Sequence, residues 1–259
     1  MKNKANILFA FLLTLLGIVT LLPLLVTIIF SFIDSNMSVL SMVNYKEVFW
    51  NRPDYLMKFW FSLFLSIVIA VANALICSLA GFGLAKFDFK GKNLIVTIVT
   101  IMIFIPYQVS LISNYTVLNQ FGWIGSYAAI IVPSIFVPFG VFLMRLNFKN
   151  IPSEIDDAAL CDGLSFMGLF FHIGLPLAKP GLITILILVF IDSWNMVEQP
   201  ILFLKDYIDY PLSVFLSQAD GMDLGILAAA CVLALVPVLL IYFFFEDELA
   251  QGIELSQFI

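Results

Sequence analysis

Long apolar runs separated by short polar segments dominate the chain. A hydrocarbon core of about 30 Å takes roughly 20 helical residues to cross, and six runs are long enough. In lipid the backbone finds no water, so a spanning segment is either a helix or a strand of a closed barrel. Barrel strands alternate and run for about 10 residues, whereas these runs are longer and unbroken. The pattern predicts an all-α polytopic membrane protein, treated as one transmembrane domain over 1–259, with six helices at 7–33, 59–85, 94–113, 127–146, 181–200 and 224–245.

The first run follows Met1-Lys-Asn-Lys, a start that a secretory signal peptide would share. A signal peptide has a shorter apolar region and ends at a small-residue cleavage site, which we do not find. This run continues through Pro23 to Phe32. We therefore interpret it as a retained first helix.

The Lys and Arg residues of the connecting segments predict the orientation, because cytoplasmic loops carry an excess of them. One side carries Lys2, Lys4, Lys86, Lys90, Lys92, Arg145, Lys149 and Lys179. The other carries Lys46, Arg52, Lys58 and Lys205. Acidic residues contribute little to this rule, so the acidic C-terminal tail does not change it. Both termini are expected in the cytoplasm.

The loop between the fourth and fifth runs, 147–180, is long enough to carry structure of its own. Pro152-Ser153 precedes several acidic residues, which a helix N-terminus favours. Gly163 suits a left-handed helix terminus, so 153–162 is predicted to be a short helix. A second amphipathic segment begins at Ser165 and ends before Pro176 and Pro180. The loop is thus a predicted helix–turn–helix at the cytoplasmic face.

Composition excludes several classes of protein. Hydrophobic residues make up 62% of the chain and charged residues 12%, with a mean hydropathy of +1.08, so most of the chain must lie in a lipid bilayer. The net charge of −6 and the lack of a basic stripe argue against a nucleic-acid partner. The three scattered cysteines form no disulfide or metal-binding pattern, and no metal site is expected.

Within the long loop, Glu154-Ile-Asp-Asp-Ala-Ala-Leu-Cys-Asp-Gly163 is followed by Phe171-His-Ile-Gly-Leu-Pro-Leu-Ala-Lys-Pro180. This stretch resembles the EAA loop of bacterial ATP-binding-cassette import permeases. Asp157 stands where that family usually has glutamate. Further segments resemble the carbohydrate branch, specifically the second permease of maltose-type transporters: Asn44-Tyr45, Leu79-Ala-Gly-Phe-Gly-Leu-Ala-Lys-Phe87, and Ser193-Trp-Asn195 with Pro200. The acidic tail after residue 245 departs from that branch.

The resemblance implies a permease subunit in a bacterial cytoplasmic membrane that moves a sugar or oligosaccharide by alternating access. It implies cytoplasmic ATPase subunits, a second related permease and an extracellular or periplasmic solute-binding protein as partners. The chain has no G-x-x-x-x-G-K-[ST] phosphate loop, so no cofactor is expected in it and ATP is expected on the partner ATPase. The residues implied to couple to that ATPase are Glu154, Asp157, Ala158, Ala159, Asp162 and Gly163.

An alternative for the loop helix is that it lies on the lipid headgroups. Interfacial helices prefer Lys and Arg on the polar face, whereas this one carries acids, so a protein partner fits better.

Polar residues interrupt the fifth run. Asp192 lies near the middle of the predicted helix, where an acid is costly unless it faces a cavity or another helix. Asp192, Asn195 and Gln199 share one helical face at i, i+3 and i+7, with Trp194 and Glu198 on an adjacent stripe. This face either lines a translocation path or bonds to neighbouring helices. A third alternative places Glu198 in outer water.

Other functional classes fit less well. An intramembrane enzyme needs a base or metal ligands in a span, but the single histidine, His172, lies in the loop, so no enzyme activity is expected. An ion-coupled secondary transporter often has two matched polar spans, and only one is found. An importer of peptides or amino acids is the nearest alternative.

Overall fold

Apart from one antiparallel bridge between Ile33 and Leu40, every regular element of the described residues is helical. The computed structural model describes residues 2–33, 40–219 and 221–254. The helices are α1 (Lys2–Ser31), α2 (Val43–Lys46), α3 (Pro53–Lys86), α4 (Lys92–Met102), α5 (Tyr107–Gln120), α6 (Ala128–Ile135), α7 (Pro138–Lys149), α8 (Ser153–Cys161), α9 (Phe166–Leu169), α10 (Leu175–Leu177), α11 (Lys179–Trp194), α12 (Glu198–Phe203), α13 (Leu212–Ser217) and α14 (Leu224–Glu254). Short π and 3-10 turns occupy Glu47–Asn51, Phe170–Gly174 and Tyr207–Asp209.

Four helical stretches are long and apolar enough to cross a membrane. They are Phe9–Ser31, Pro53–Lys86, Ala128–Lys149 and Leu224–Glu248. Two further pairs pass the same test only together, because each is sharply bent: α4 with α5 at 108°, and Phe166–Leu177 with α11 at 79°. The described residues therefore provide four to six spans by length and composition.

The structure differs from the sequence prediction in the third and fifth runs. The helix predicted over 94–113 stops at Met102 and resumes at Tyr107. Pro106 has no N–H for the Met102 carbonyl, which instead accepts the Ile105 N–H at 3.2 Å in a tighter turn. The helix predicted over 181–200 ends at Trp194, and a separate α12 begins at Glu198.

The chain forms two compact units, of which the first comprises Met1–Trp60 and Phe215–Pro237. There the buried Asn44 amide donates to the carbonyls of Ser31 (3.1 Å) and Ile33 (2.8 Å) at the end of α1. A Cβ at Gly225 would stand 2.6 Å from Asn44 Nδ2, so only glycine fits there. Asn44 therefore caps the C-terminal end of α1 and packs against α14 at Gly225. The apolar side chains of α1 from Phe9 onward are largely exposed, as lipid contact requires.

The second unit comprises Phe61–Val214 and Val238–Ile259. In it α7 packs against α4 and α11, and α12 packs against α5 and α6. This unit contains the loop 147–180 and every residue of the cavity described below.

Candidate functional site

A cavity of about 720 Å³ lies where three helical segments of the second unit are interrupted. Its walls come from the bend between α4 and α5, the break between α6 and α7, and the segment from the end of α11 into α12. Interrupted backbone at membrane depth is tolerated only where it is buried in protein or lines a cavity. All three breaks line this cavity, which is where a membrane protein tolerates interrupted helices.

Pro200 explains why α11 does not continue into α12. It has no N–H for the carbonyl of Met196, and that carbonyl accepts the Ser213 hydroxyl instead. The Asn195 amide folds back and donates to the Ile191 carbonyl at 2.9 Å, at the last turn of α11. The carbonyls of Ile191 and Met196 thus both accept a side-chain hydrogen bond, and residues 195–199 turn along the cavity wall.

Pro138 has the same effect at the break between α6 and α7. It begins α7 and leaves the Ser134 carbonyl without its helical donor. The buried Asn73 side chain of α3 supplies that donor at 3.0 Å, and the Cys77 thiol lies 3.6 Å from the Val137 carbonyl. Ser134 and Val137 both line the cavity, so side chains of α3 hydrogen-bond to the backbone of this part of the cavity wall.

Four of the five residues suggested for a translocation path line this cavity: Asp192, Asn195, Glu198 and Gln199. Asp192, Asn195 and Glu198 are exposed and Gln199 is half-buried. Trp194 is not part of the lining. It is 5% exposed and stacks on Phe190, with ring centroids 6.0 Å apart. The structure thus gives Trp194 a packing environment and does not place it in the cavity lining.

A second polar wall, which was not predicted from the sequence, lies on α5. Tyr107, Ser110 and Asn114 line the cavity together with Gln108. The Tyr107 hydroxyl is buried and makes no hydrogen bond to the described residues. Tyr107, Ser110 and Asn114 are spaced i, i+3 and i+7, as Asp192, Asn195 and Gln199 are, so the same spacing argument applied to 107–114 would have found them.

The lining mixes aliphatic and aromatic side chains with polar groups, and its described residues carry no positive charge. Its polar groups are amides, hydroxyls and the two carboxylates, and its rings include Phe136 and Phe139. No Lys, Arg or His is among the 22 described lining residues. Nor do the described residues contain a group of three side chains that could hold a metal ion. Such a lining can hydrogen-bond a neutral polyol and pack against its apolar faces.

The loop 147–180 forms a second feature of the same unit. Its helix α8 begins after Pro152, so Ser153 is the first helical residue and makes no capping bond, unlike the predicted cap. Its end matches the prediction for Gly163, which has φ +86°. The Gly163 N–H donates to the Leu160 carbonyl and the Leu164 N–H to the Ala159 carbonyl, both at 3.1 Å. This is the Schellman arrangement that satisfies the last carbonyls of a helix.

The residues suggested for ATPase coupling fall on two sides of α8 and its end. Glu154, Asp157, Ala158, Asp162 and Gly163 are exposed. Ala159 is 5% exposed and faces the chain's own interior. Its small size therefore serves packing within this chain, whereas Ala158 lies on the open face beside the acids.

The loop rests on an aromatic cluster that also involves α3 and α7. Phe82 of α3 contacts Phe148 of α7 and Phe170 of the loop, at centroid distances of 5.3 and 5.2 Å. Phe87 contacts Phe166 at 4.9 Å, and the Ser165 hydroxyl caps α9 by accepting the Gly168 N–H at 3.1 Å. The segment 79–87 therefore supports the loop directly.

The comparisons with known proteins agree on one family. Residues 77–254 match the family described as binding-protein-dependent transport system inner membrane component. The chain is 30% identical to the arabinooligosaccharides transport system permease protein of Halalkalibacterium halodurans, over 98% of each chain. It is 27% identical to the lactose transport system permease protein of Rhizobium radiobacter (79% of this chain, 76% of the relative). It is 26% identical to the trehalose/maltose permease protein of Thermococcus litoralis (92% and 91%).

Among solved structures, the fold is similar to a chain of a bacterial ABC transporter involved in the import of the acidic polysaccharide alginate. The TM-score is 0.82 at 19% identity, covering 95% of this chain and 96% of that one. A chain of the MetNI methionine ABC transporter gives a TM-score of 0.57 at 18% identity, over 76% and 95%. These two likenesses concern the fold alone.

Proposed function

The chain belongs to the family of binding-protein-dependent transport system inner membrane components, and from that premise we propose that it is the permease subunit of an importer that moves a sugar or oligosaccharide. Membership makes it a multi-pass membrane transport component and not an enzyme. The observation that supports a saccharide as the solute is the match, over 98% of each chain, to a permease named for arabinooligosaccharides. Relatives named for lactose and for trehalose/maltose support the same class.

The cavity suits such a solute. Its volume of about 720 Å³ lies within the roughly 300–1,000 Å³ typical of small-molecule sites. Sugar hydroxyls would hydrogen-bond to the amides of Asn195, Gln199 and Asn114. The apolar faces of the sugar rings would pack against Tyr107 and Phe136. Asp192 and Glu198 accept hydrogen bonds from hydroxyl groups. These residues are our candidates for the substrate path.

The proposed topology has six spans, with each bent pair counted as one. Both termini and the loop 147–180 lie in the cytoplasm, and the segment around Asn51 lies outside. The Lys and Arg asymmetry of the connecting segments supports this orientation. The membrane is the bacterial cytoplasmic membrane.

In this topology α8 faces the cytoplasm and docks on an ATPase. Glu154, Asp157 and Asp162 present an acidic face, and the small exposed Ala158 permits close approach. The ATPase binds the ATP, and its closure moves α8. A second, related permease completes the path, and an extracellular or periplasmic binding protein delivers the solute. Rocking of the spans then opens the cavity to one side and the other.

Purification of the chain in mild detergent tests the assembly. We expect a tagged chain to bring down a second permease and two ATPase subunits or domains. Isolation of the chain alone, from membranes that retain it in folded form, would contradict the proposal. An active complex with this permease and one ATPase species would refute only the second permease.

A further inference from the structure

The end of α3 is fastened to the start of α8 by a sheltered charge pair. The Lys86 ammonium lies 2.6 Å from Asp156 Oδ2, and the two side chains are 11% and 14% exposed. The same ammonium donates to the carbonyl of Ile151 at 2.9 Å, just before α8 begins. One lysine thus holds both the helix and the residue that leads into it.

Both charges also suit the helix ends on which they lie. Lys86 is the last residue of α3, where the carbonyl end of the helix favours a cation. Asp156 lies in the first turn of α8, where the N–H end favours an anion. Because the pair is sheltered from solvent, salt screens it less than an exposed pair. A movement of α8 is therefore resisted at Lys86 unless α3 moves with it.

The other end of this connection is the cavity wall. Asn73 lies 13 residues before Lys86 on α3, which is about 20 Å along a helix. Asn73 donates to the Ser134 carbonyl, which the break before Pro138 leaves free. Between these two points α3 is pressed against α7, since a Cβ at Gly81 would stand 2.7 Å from the Met144 Cβ. α3 thus contacts α8 at one end and the cavity lining further along.

We propose that Lys86 and Asp156 are a positioning pair that couples the movement of α8 to α3, and through Asn73 to the cavity wall at Ser134–Val137. This inference rests on the proposed docking of α8 on an ATPase. A coupling role for this pair differs from a purely structural role in one consequence. Loss of the pair should disconnect the cavity wall from the nucleotide state while the subunits remain assembled.

A cysteine at Phe136 reports on the wall, because Phe136 lines the cavity and is 42% exposed. The experiment uses the assembled complex carrying Phe136→Cys, with Cys161 and Cys231 replaced by serine. A small thiol reagent is applied with and without ATP and vanadate. We expect nucleotide trapping to change the labelling rate by about fivefold or more, the lower end of coupling between two sites. With Lys86→Met or Asp156→Asn, we expect the labelling rates with and without ATP and vanadate to differ by less than about twofold, which is below the usual range of coupling between two sites.

Rescue separates charge pairing from bulk. Lys86→Arg keeps a cation that can pair with Asp156 and donate to the Ile151 carbonyl, so it should retain most of the nucleotide response. The exchange of Lys86→Asp with Asp156→Lys should restore less of it, because each charge then lies at the helix end that disfavours it. Lys92→Met is the matched control, because the Lys92–Asp88 pair (3.0 Å) lies in the nearby turn and its aspartate is fully exposed. It should leave the response intact. If Lys86→Met yields no complex, Asp156→Asn decides by the same measurement.

A full nucleotide response in assembled Lys86→Met and Asp156→Asn complexes overturns the pair's coupling role and leaves the importer proposal standing. Loss of the response in Lys92→Met as well overturns it too, since the effect would then belong to any charge lost near this turn. A parent complex with no ATPase bound contradicts the proposed function itself, and this inference fails with it.

Discussion

Gly81 of α3 and Met144 of α7 bring the two helices into backbone contact. A Cβ added at Gly81 would stand 2.7 Å from the Met144 Cβ and 2.8 Å from the Arg145 nitrogen. One turn of α7 earlier, a Cβ at Gly140 would stand 2.8 Å from the Cys77 sulfur of α3. Small residues at such positions let membrane helices approach closely, and here they make α3 and α7 a tightly packed pair.

The first prediction concerns this contact. Gly81→Ala should destabilise the protein by about 1–3 kcal/mol, because the added methyl group forces the two backbones apart. The unfolding midpoint of the detergent-purified protein measures the effect. Gly83→Ala is the matched control, since a Cβ there meets nothing within 4 Å.

At position 83 the better helix propensity of alanine should make the change neutral or stabilising, by about 0.5–1 kcal/mol. Equal midpoints for Gly81→Ala and Gly83→Ala would show that α3 and α7 do not pack as the structure has them.

The second prediction concerns the end of α8. Gly163 has φ +86°, a conformation that costs a residue with a side chain about 1–2 kcal/mol. Gly163→Ala should therefore loosen the end of α8 and lower the amount of ATPase retained on purification. Gly168→Ala is the control, because its φ is not in the left-handed region and an added Cβ would make ordinary contacts from 3.4 Å outward. Normal ATPase retention in Gly163→Ala would argue that the precise end of α8 is not needed for docking.

The helical class, the positions of the apolar runs and the left-handed Gly163 could be predicted from sequence, because each follows from local chemistry. The breaks could not. Pro23, Pro133 and Pro237 lie within helices that do not break at the proline, whereas Pro106 stands at a 108° bend. A proline frees a carbonyl in every case, and the outcome depends on which other group donates a hydrogen bond to that carbonyl. At Pro106 the new donor is the nearby Ile105 N–H, whereas at Pro138 and Pro200 the donors are Asn73 and Ser213, which lie 61 and 17 residues from the carbonyls they reach.

In the candidate site, too, some features follow from the local sequence and others depend on tertiary packing. The polar spacing in the fifth run led to Asp192, Asn195 and Gln199, with Glu198 on the adjacent stripe, and the structure places all four on one cavity. Trp194 was grouped with them by adjacency, but it points into the interior. The inward side of Ala159 also depends on tertiary packing, which the local sequence does not contain.

The third prediction tests the cavity. Asn195→Ala should remove a hydrogen-bonding group worth about 0.5–1.5 kcal/mol, which lowers transport roughly two- to tenfold if the group binds solute. Assembly should stay intact. Asn119→Ala is the control, because Asn119 is an exposed residue of α5 outside the cavity lining. Uptake by the assembled complex is the measurement.

A fall in complex yield or thermal stability with Asn195→Ala would instead indicate that the amide holds the helix end through Ile191. Normal uptake with normal assembly would remove Asn195 from both roles and favour its exposure to outer water.

The fourth prediction concerns orientation. Cys161 is exposed on α8, Cys77 is buried and Cys231 is half-buried. With Cys77 and Cys231 replaced by alanine, a membrane-impermeant maleimide should miss Cys161 in intact cells and label it after solubilisation in denaturing detergent. Asn51→Cys in a chain lacking all three cysteines should be labelled in intact cells. Labelling of Cys161 from outside would invert the proposed topology.

The energy source for transport tests the central claim most directly. The complex purified through this chain is reconstituted in vesicles with its binding protein, and uptake of radiolabelled arabinotriose, lactose and trehalose is followed. We predict that at least one of these sugars accumulates when ATP is supplied on the ATPase side, and that ADP or a mutation of the partner's ATP site abolishes the uptake. Accumulation driven by an ion gradient without ATP, or ATP-driven uptake of peptides or amino acids in place of all three sugars, would contradict the account.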